Sequence, residues 1–225
     1  MAFFEKDFLD FFIELAPNNN KDWFDLNRER YANSVREPFK KFVAHMIKKM
    51  SKDMPELKEL EPKDCTFRIN RDIRFSKDKT PYKLRVSALI TPGGKKKRSE
   101  DARGVYFELG PEHVRVYGGV FEVDKDDLYN IREGIAGSPA EFKQLYTDKK
   151  FRKIYGDIHG ATNKVIPREF KEAGAEEPMI YNKQWYFFSQ FEPETVLDDN
   201  LDKKIIECHK AGLPIKEYLN KLKNQ

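Results

Sequence analysis

Residues 67–83 read Phe-Arg-Ile-Asn-Arg-Asp-Ile-Arg-Phe-Ser-Lys-Asp-Lys-Thr-Pro-Tyr-Lys, a concentration of groups that bind anions. Laid out as a strand, Phe67, Ile69, Arg71, Ile73 and Phe75 face one way, and Arg68, Asn70, Asp72 and Arg74 the other. The spacing predicts an apolar face with an arginine in it. Arg71 is then buried or half-buried, which is tolerable only where a carboxylate or a bound anion meets its planar fork. On the opposite face Asp72 sits between Arg68 and Arg74 and can orient both, leaving their remaining donors for a phosphate or a carboxylate. The turn Ser76–Pro81 adds hydroxyls, ammonium groups and backbone donors ahead of Tyr82, whose ring can stack on a base or another planar ligand.

This inventory points first to an anion-binding site of phosphate type. In that reading Arg68, Arg74 and Lys79 contact the anion, Asp72 orients the arginines, Tyr82 packs on the ligand and Arg71 supports the site. The partner is a phosphorylated small molecule or nucleic acid, and nothing in the sequence separates the two. The run Lys95-Lys96-Lys97-Arg98 would give nucleic acid a sequence-blind phosphate contact, or is simply a solvated loop. One alternative is structural: the arginines pin the sheet to the helices, with Asp22, Asp25 or Glu29 as partners, in an interaction or regulatory protein. Another is phosphoryl transfer or phosphoester hydrolysis, with Asp72 as general base or Mg²⁺ holder and Arg68 and Arg74 stabilising developing charge. No known phosphate loop occurs, since Gly93-Gly94-Lys95 lacks the required spacing and no G-x-G-x-x-G is present. Asp157 with Glu169-Phe170-Lys171 matches the acid and E-x-K pattern of restriction-type nucleases only superficially.

The pattern Arg68-x-x-Arg71-Asp72-x-Arg74-Phe75-x-x-x-Lys79-x-x-Tyr82 resembles the hallmark of a bacterial and fungal family, domain of unknown function 2461, at every specified position. Asn18-Asn19-Asn20-Lys21-Asp22-Trp23-Phe24, Asn27-Arg28, the Arg85 strand, Gly118-Gly119 and Ile131-Arg132 extend the resemblance along the chain. It implies no activity, cofactor or catalytic residue; it marks which positions matter to the family.

Several elements must position this segment. Phe4, Phe8, Phe11, Phe12 and Leu15 recur at helical spacing until Pro17 and three asparagines interrupt them. A second helix follows Asn20, and a third begins at Glu37-Pro38 with Phe39, Phe42, Val43, Met46, Ile47 and Met50 as one stripe. The period then becomes two. Leu84, Val86, Ala88 and Ile90 alternate as a strand with one buried face, and Val105–Leu109 and Val114–Gly118 form a hairpin around Gly110-Pro111-Glu112. Asp124 caps a helix through Ile131 and Ile135, and Ser138-Pro139-Ala140-Glu141 reads as a capping box. Residues 157–179 read as irregular. Trp185, Tyr186, Phe187, Phe188 and Phe191 suit a strand apolar on both faces, and with Tyr181 could alternatively be an exposed partner patch. Leu201, Ile205, Cys208 and then Tyr218, Leu219, Leu222 suggest two closing helices. The expected class is α+β: N-terminal helices, a central antiparallel meander and C-terminal helices, in one domain spanning residues 1–225.

Composition bounds the rest. The 225 residues are 36% charged, against a typical value of about 25%, and 18 Phe, 10 Tyr and 2 Trp supply core material. The longest charge-free stretch, Val86 to Gly94, is too short to cross a bilayer, and charges interrupt the N-terminus where a signal peptide needs its apolar core. The expectation is a cytoplasmic protein with no membrane partner. Cys65 and Cys208 stand alone and the four histidines are scattered, so neither a metal set nor a cofactor motif is legible. Charge is divided unevenly. Residues Arg68 to Arg98 hold eleven basic groups against two acidic ones, while the whole chain is only +4, so the remainder is net acidic and the positive field is local.

Overall fold

The computed structural model describes residues 2–97 and 101–223, so Arg98 of the basic run lies outside the described residues. The chain packs into two compact units. One comprises Met1–Lys96, Tyr106–Val116 and Gln190–Ile206, the other Lys97–Val105, Tyr117–Ser189 and Glu207–Gln225.

In the first unit, α1 (Asp7–Leu15) and α2 (Lys21–Leu26) are separated by the asparagine triplet, and each asparagine has its own task. Asn18 donates to the Glu14 carbonyl at the end of α1, and Asn20 accepts from Trp23 N at 2.9 Å as the N-cap of α2. A single turn, α3 (Arg28–Arg30), and a wider π-helical stretch (Tyr31–Arg36) lead into α4 (Glu37–Met50), and the turn α5 (Pro62–Cys65) follows. All six apolar positions of the expected α4 stripe are buried. Phe39 and Phe42 meet Phe107 edge-on, and Phe11 lies against Trp23, Phe24 and Tyr31. Strands β1 (Val86–Ile90), β2 (Val105–Leu109), β3 (Val114–Val120) and β4 (Trp185–Phe191) form an antiparallel meander in that order. Asp202, 6% exposed, accepts from His45 Nε2 at 2.8 Å and from Lys49 Nζ. Burial would raise its pKa, but these donors outweigh it and bring the carboxyl to about 2.

Several local expectations are corrected. Residues 67–75 are not a strand: the segment makes only isolated bridges, Thr66 to Ala88 and Asn70 to Tyr82. Three residues separate those bridges on one side and five on the other, so no continuous ladder can run between them. The alternation of burial nevertheless persists from Phe67 to Arg74, and breaks at Phe75, which is 96% exposed. Nor does β1 have one buried face, because Ser87 is buried along with Val86 and Ala88. Ser138 precedes its helix without a side-chain cap, so no capping box forms there.

In the second unit, α6 (Lys125–Gly137) starts at the Asp124 cap, and α7 (Pro139–Thr147) and α8 (Lys149–Tyr155) follow. The stretch expected to be irregular contains α9 (Lys171–Glu176) and two 3-10 turns. Phe187 is the centre of this unit's core, 4.9 Å from the Phe151 ring and 4.6 Å from that of Tyr155. A Cβ on Gly118 would stand 2.5 Å from the Phe187 ring, and one on Gly119, at φ +86, would stand 2.1 Å from the Trp185 carbonyl. Both glycines are therefore required by close approach. Strand β4 is buried on one face only, since Tyr186 and Phe188 are half-exposed. The two expected closing helices are one, α10 (Leu201–Lys223), with Pro214 inside it. Pro214 sits on the exposed side, where water can meet the carbonyl freed by the missing N–H, while Ala211, Ile215 and Leu219 keep the helix packed.

Lys216 on α10 is 1% exposed. Its Nζ donates to the Gly104 carbonyl at 3.0 Å and lies 2.7 Å from His209 Nδ1, with no carboxylate pairing it among the described residues. Burial lowers its pKa to about 7, and burial together with the Lys216 charge lowers His209 to about 3, so the imidazole stays neutral and accepts. Between pH 7 and the ordinary lysine value of 10.5 the unfolded chain holds more protons than the folded one, so Lys216 makes stability rise with pH in that window. Wild type should therefore gain on Lys216→Met between pH 7 and pH 10 by up to about 1.4 kcal/mol per pH unit. Parallel urea titrations at the two pH values check this, and a constant difference would mean that burial does not lower the Lys216 pKa.

Candidate functional site

A cavity of about 570 Å³ in the first unit brings the basic segment together with the hairpin turn. Its walls include Arg71, Asp72, Asp78, Thr80, Tyr82 and Lys83, together with Arg85 from the approach to β1, Asn19 from the asparagine triplet and His113 from the turn before β3.

The wall is fixed from the backbone outward. Arg71 N donates to Pro81 O at 2.8 Å and Lys83 N to Ile69 O at 2.9 Å, so Asn70 and Tyr82 face each other as a non-hydrogen-bonded pair. The backbone groups of Tyr82 therefore point away from residue 70, and Asn19 meets both. Its Nδ2 donates to Tyr82 O at 2.9 Å and its Oδ1 accepts from Tyr82 N at 3.1 Å. A side-chain amide thus does what the next strand of a sheet would do. The Tyr82 ring, 7% exposed, stacks on Phe24 with centroids 4.0 Å apart and planes 17° apart.

Residues 71–80 form a loop held by its own charges. Arg71, half-buried as expected, donates to the Asp78 carboxylate and the Thr80 hydroxyl. Asp78 also accepts from Thr80 N at 2.9 Å, and this backbone bond followed by the Arg71 contact lowers its pKa to about 2. Asp72 grips Arg74 in a fork, Nε to Oδ1 at 3.0 Å and Nη2 to Oδ2 at 2.7 Å, which holds the Asp72 carboxyl below the usual range. Lys79 donates to Ile73 O at 3.0 Å. The carboxylates that meet the motif arginines thus come from the same segment, whereas Asp25, a candidate partner, pairs with Arg28.

Among the described residues Lys83 donates to the Arg68 carbonyl alone, at 3.1 Å. Burial first, then the nearby charges of Arg85 and Arg68, lower its pKa against the opposing charge of Glu108. Behind it Arg85 Nε meets Glu108 at 2.9 Å, and Tyr106 donates to the same carboxylate at 2.7 Å. Burial alone would raise Glu108, but the tyrosine hydroxyl and the guanidinium outweigh it and leave the carboxyl below its ordinary range. His113, 8% exposed, has its Nε2 3.6 Å from Glu108 Oε2, beyond hydrogen-bond reach, and that nitrogen has no hydrogen-bond partner. Burial, then Arg115, lowers its pKa, so the ring is neutral at pH 7.

Of the residues singled out by sequence, Arg71, Asp72 and Tyr82 line the cavity, and Arg68, Arg74 and Lys79 are exposed and not among its lining residues. Lys95 donates at 2.5 Å to the carbonyls of Lys63 and Thr66. Asp157 pairs with Arg152. Sequence reasoning missed Asn19, Glu108 and His113 as parts of the site. For Asn19 the triplet was the only signal, and the alternation of β2 gave no sign that Glu108 would be covered. Among the described residues no three His, Cys, Asp or Glu side chains come together as a metal set, and no helix is long and apolar enough to cross a membrane.

The family model described as a conserved hypothetical protein, DUF2461, matches residues 7–218. The chain belongs to this family. No curated protein and no solved structure matches it. The match spans both units and includes the cavity wall and the loop beside it.

Replacing Asn19 with alanine removes both bonds to Tyr82 and leaves a buried backbone pair unmet, a loss of about 1–3 kcal/mol. Asn19→Ala should lower the denaturant midpoint accordingly and speed proteolytic cutting within residues 71–83. An unchanged cutting rate would show that the clamp does not hold the loop.

Proposed function

We propose that the cavity binds an anion of phosphate type. The observation that carries this reading is the convergence of Arg71, Lys83 and Arg85 on one concave wall, with Lys83 in no ion pair among the described residues although Asp72, Asp78 and Glu112 also line the cavity. A volume of about 570 Å³ suits a small phosphorylated group or the backbone of a larger one. In this reading Lys83, Arg71 and the Thr80 hydroxyl meet the anion. Arg68 and Lys79 add positive field at the rim, Asp72 holds Arg74, and Tyr82 fixes the wall against Phe24. His113 Nε2, buried without a partner, is a further donor or acceptor available to the ligand after a small ring rotation.

Phosphoryl transfer through Asp72 draws less support. Both of its oxygens are engaged by Arg74, and its lowered pKa makes it a weak base. A purely structural network accounts for Arg71 and Arg74 but leaves Lys83 and Arg68 without a task.

Phosphate and pyrophosphate at low ionic strength should raise the thermal midpoint of the wild type, by about 3–6 °C at ten times Kd for a chain of this size. Lys83→Ala should abolish the rise while leaving the unliganded midpoint within about 1–2 °C, because Lys83 is held by one carbonyl and a 6.0 Å approach to the Phe67 ring, with no ion pair among the described residues. No rise in the wild type at millimolar ligand would defeat the proposal.

A further inference from the structure

Phe75 is the most exposed large apolar residue described, at 96%, and it stands in the basic segment beside the cavity. Its loop is not slack. Arg71 ties the two sides together through Asp78 and Thr80, Lys79 reaches across to Ile73 O at 3.0 Å, and Ser76 N bonds the same carbonyl at 3.3 Å. The ring is therefore presented in one place by a braced loop. Arg74, itself fixed by Asp72, sets its guanidinium 5.9 Å from the ring centroid. Around it the charge is lopsided. Asp72 and Asp78 are each taken up by an arginine, whereas Arg68, Lys77, Lys79 and Lys83 pair with no carboxylate among the described residues.

An aromatic face held in water beside unpaired cations is the combination that binds unpaired bases strung on phosphates. The ring offers a stacking surface to any base, and the cations follow the backbone. Duplex bases are already stacked on both faces, so this surface discriminates against a double strand. We infer that the Arg68–Lys83 segment binds single-stranded nucleic acid, with Phe75 stacking on a base and the cavity cations Lys83 and Arg71 taking an adjoining phosphate. The inference rests on the phosphate reading of the cavity and adds the substrate class to it.

The test is fluorescence anisotropy of the full chain with labelled oligothymidylate, with a duplex of equal length, and with inorganic phosphate as competitor. Oligothymidylate should bind at low salt and weaken as salt rises, with a log–log slope of about −2 to −3 for three or four phosphates. Phe75→Ala should weaken binding by about tenfold or more, and Phe75→Trp should restore it. The thermal midpoint should not move in either variant, since the ring is 96% exposed and buries almost nothing. Binding by Phe75→Ala equal to wild type overturns the inference, as does a duplex that binds as tightly as the single strand. If phosphate stabilises the wild type through Lys83 and no oligonucleotide binds, the phosphate site stands and the inference falls. If oligothymidylate binding depends on Phe75 but survives Lys83→Ala undiminished, the stacking surface stands and the cavity reading falls.

Discussion

Tyr82 is fastened on three sides: by the Asn70 bridge through its neighbours' backbone, by the Asn19 amide through its own, and by Phe24 through its ring. The rest of the candidate site depends on this fastening. A peptide chain leaving a sheet edge has backbone groups that must be satisfied, and a segment with six cations between Arg68 and Lys83 has every electrostatic reason to spread. By lending one side-chain amide as a substitute strand, the chain closes the backbone account at residue 82 without extending the sheet. Residues 71–80 then project from a fixed base, so Arg71 and Lys83, twelve positions apart, face the same cavity.

Within that frame the charges divide by partner. Arg71 and Arg74 spend their planar forks on Asp78 and Asp72, which suits guanidinium geometry and holds the loop. The lysines, compact charges on flexible stems, reach carbonyls and keep their full charge toward solvent or cavity. This is a physical reason for a motif that mixes arginine and lysine: exchange between them would alter bracing at some positions and field strength at others. Deeper in, Glu108 is shielded by Tyr106 and Arg85, so that the wall behind the cavity is polar yet fully bonded except at His113 Nε2.

Much of this was legible in the sequence, and the limits have physical causes. The stripe of α4 and the β2–β3 hairpin could be read because a period of 3.6 or 2 is imposed by burial on one side. The same logic placed Arg71 half-buried and required a carboxylate or a bound anion at its fork, without saying which. It failed where two elements share a position. Residues 67–71 cover the second face of the sheet at Tyr106, 5.8 Å from Phe67, so neither β1 nor β2 has the solvated face that alternation implies. It failed again at Pro214, where packing on both sides of the residue outweighs the loss of one helical bond. Phe75 defeats the pattern for a different reason: its exposure is set by the loop's bracing, which involves side-chain pairs that periodicity does not encode.

The two units are interleaved along the chain, each drawing on three separate stretches, with the five crossings falling in the 3-10 turn Gly94–Lys97, β2, β3, β4 and α10. During synthesis the first unit therefore waits for Gln190–Ile206, which emerges only after most of the second unit has been made. The wall of the cavity is translated early, but the unit that carries it closes late, and its long-range pairings impose the slow search of a high-contact-order fold. No single cut in the gene yields either unit whole.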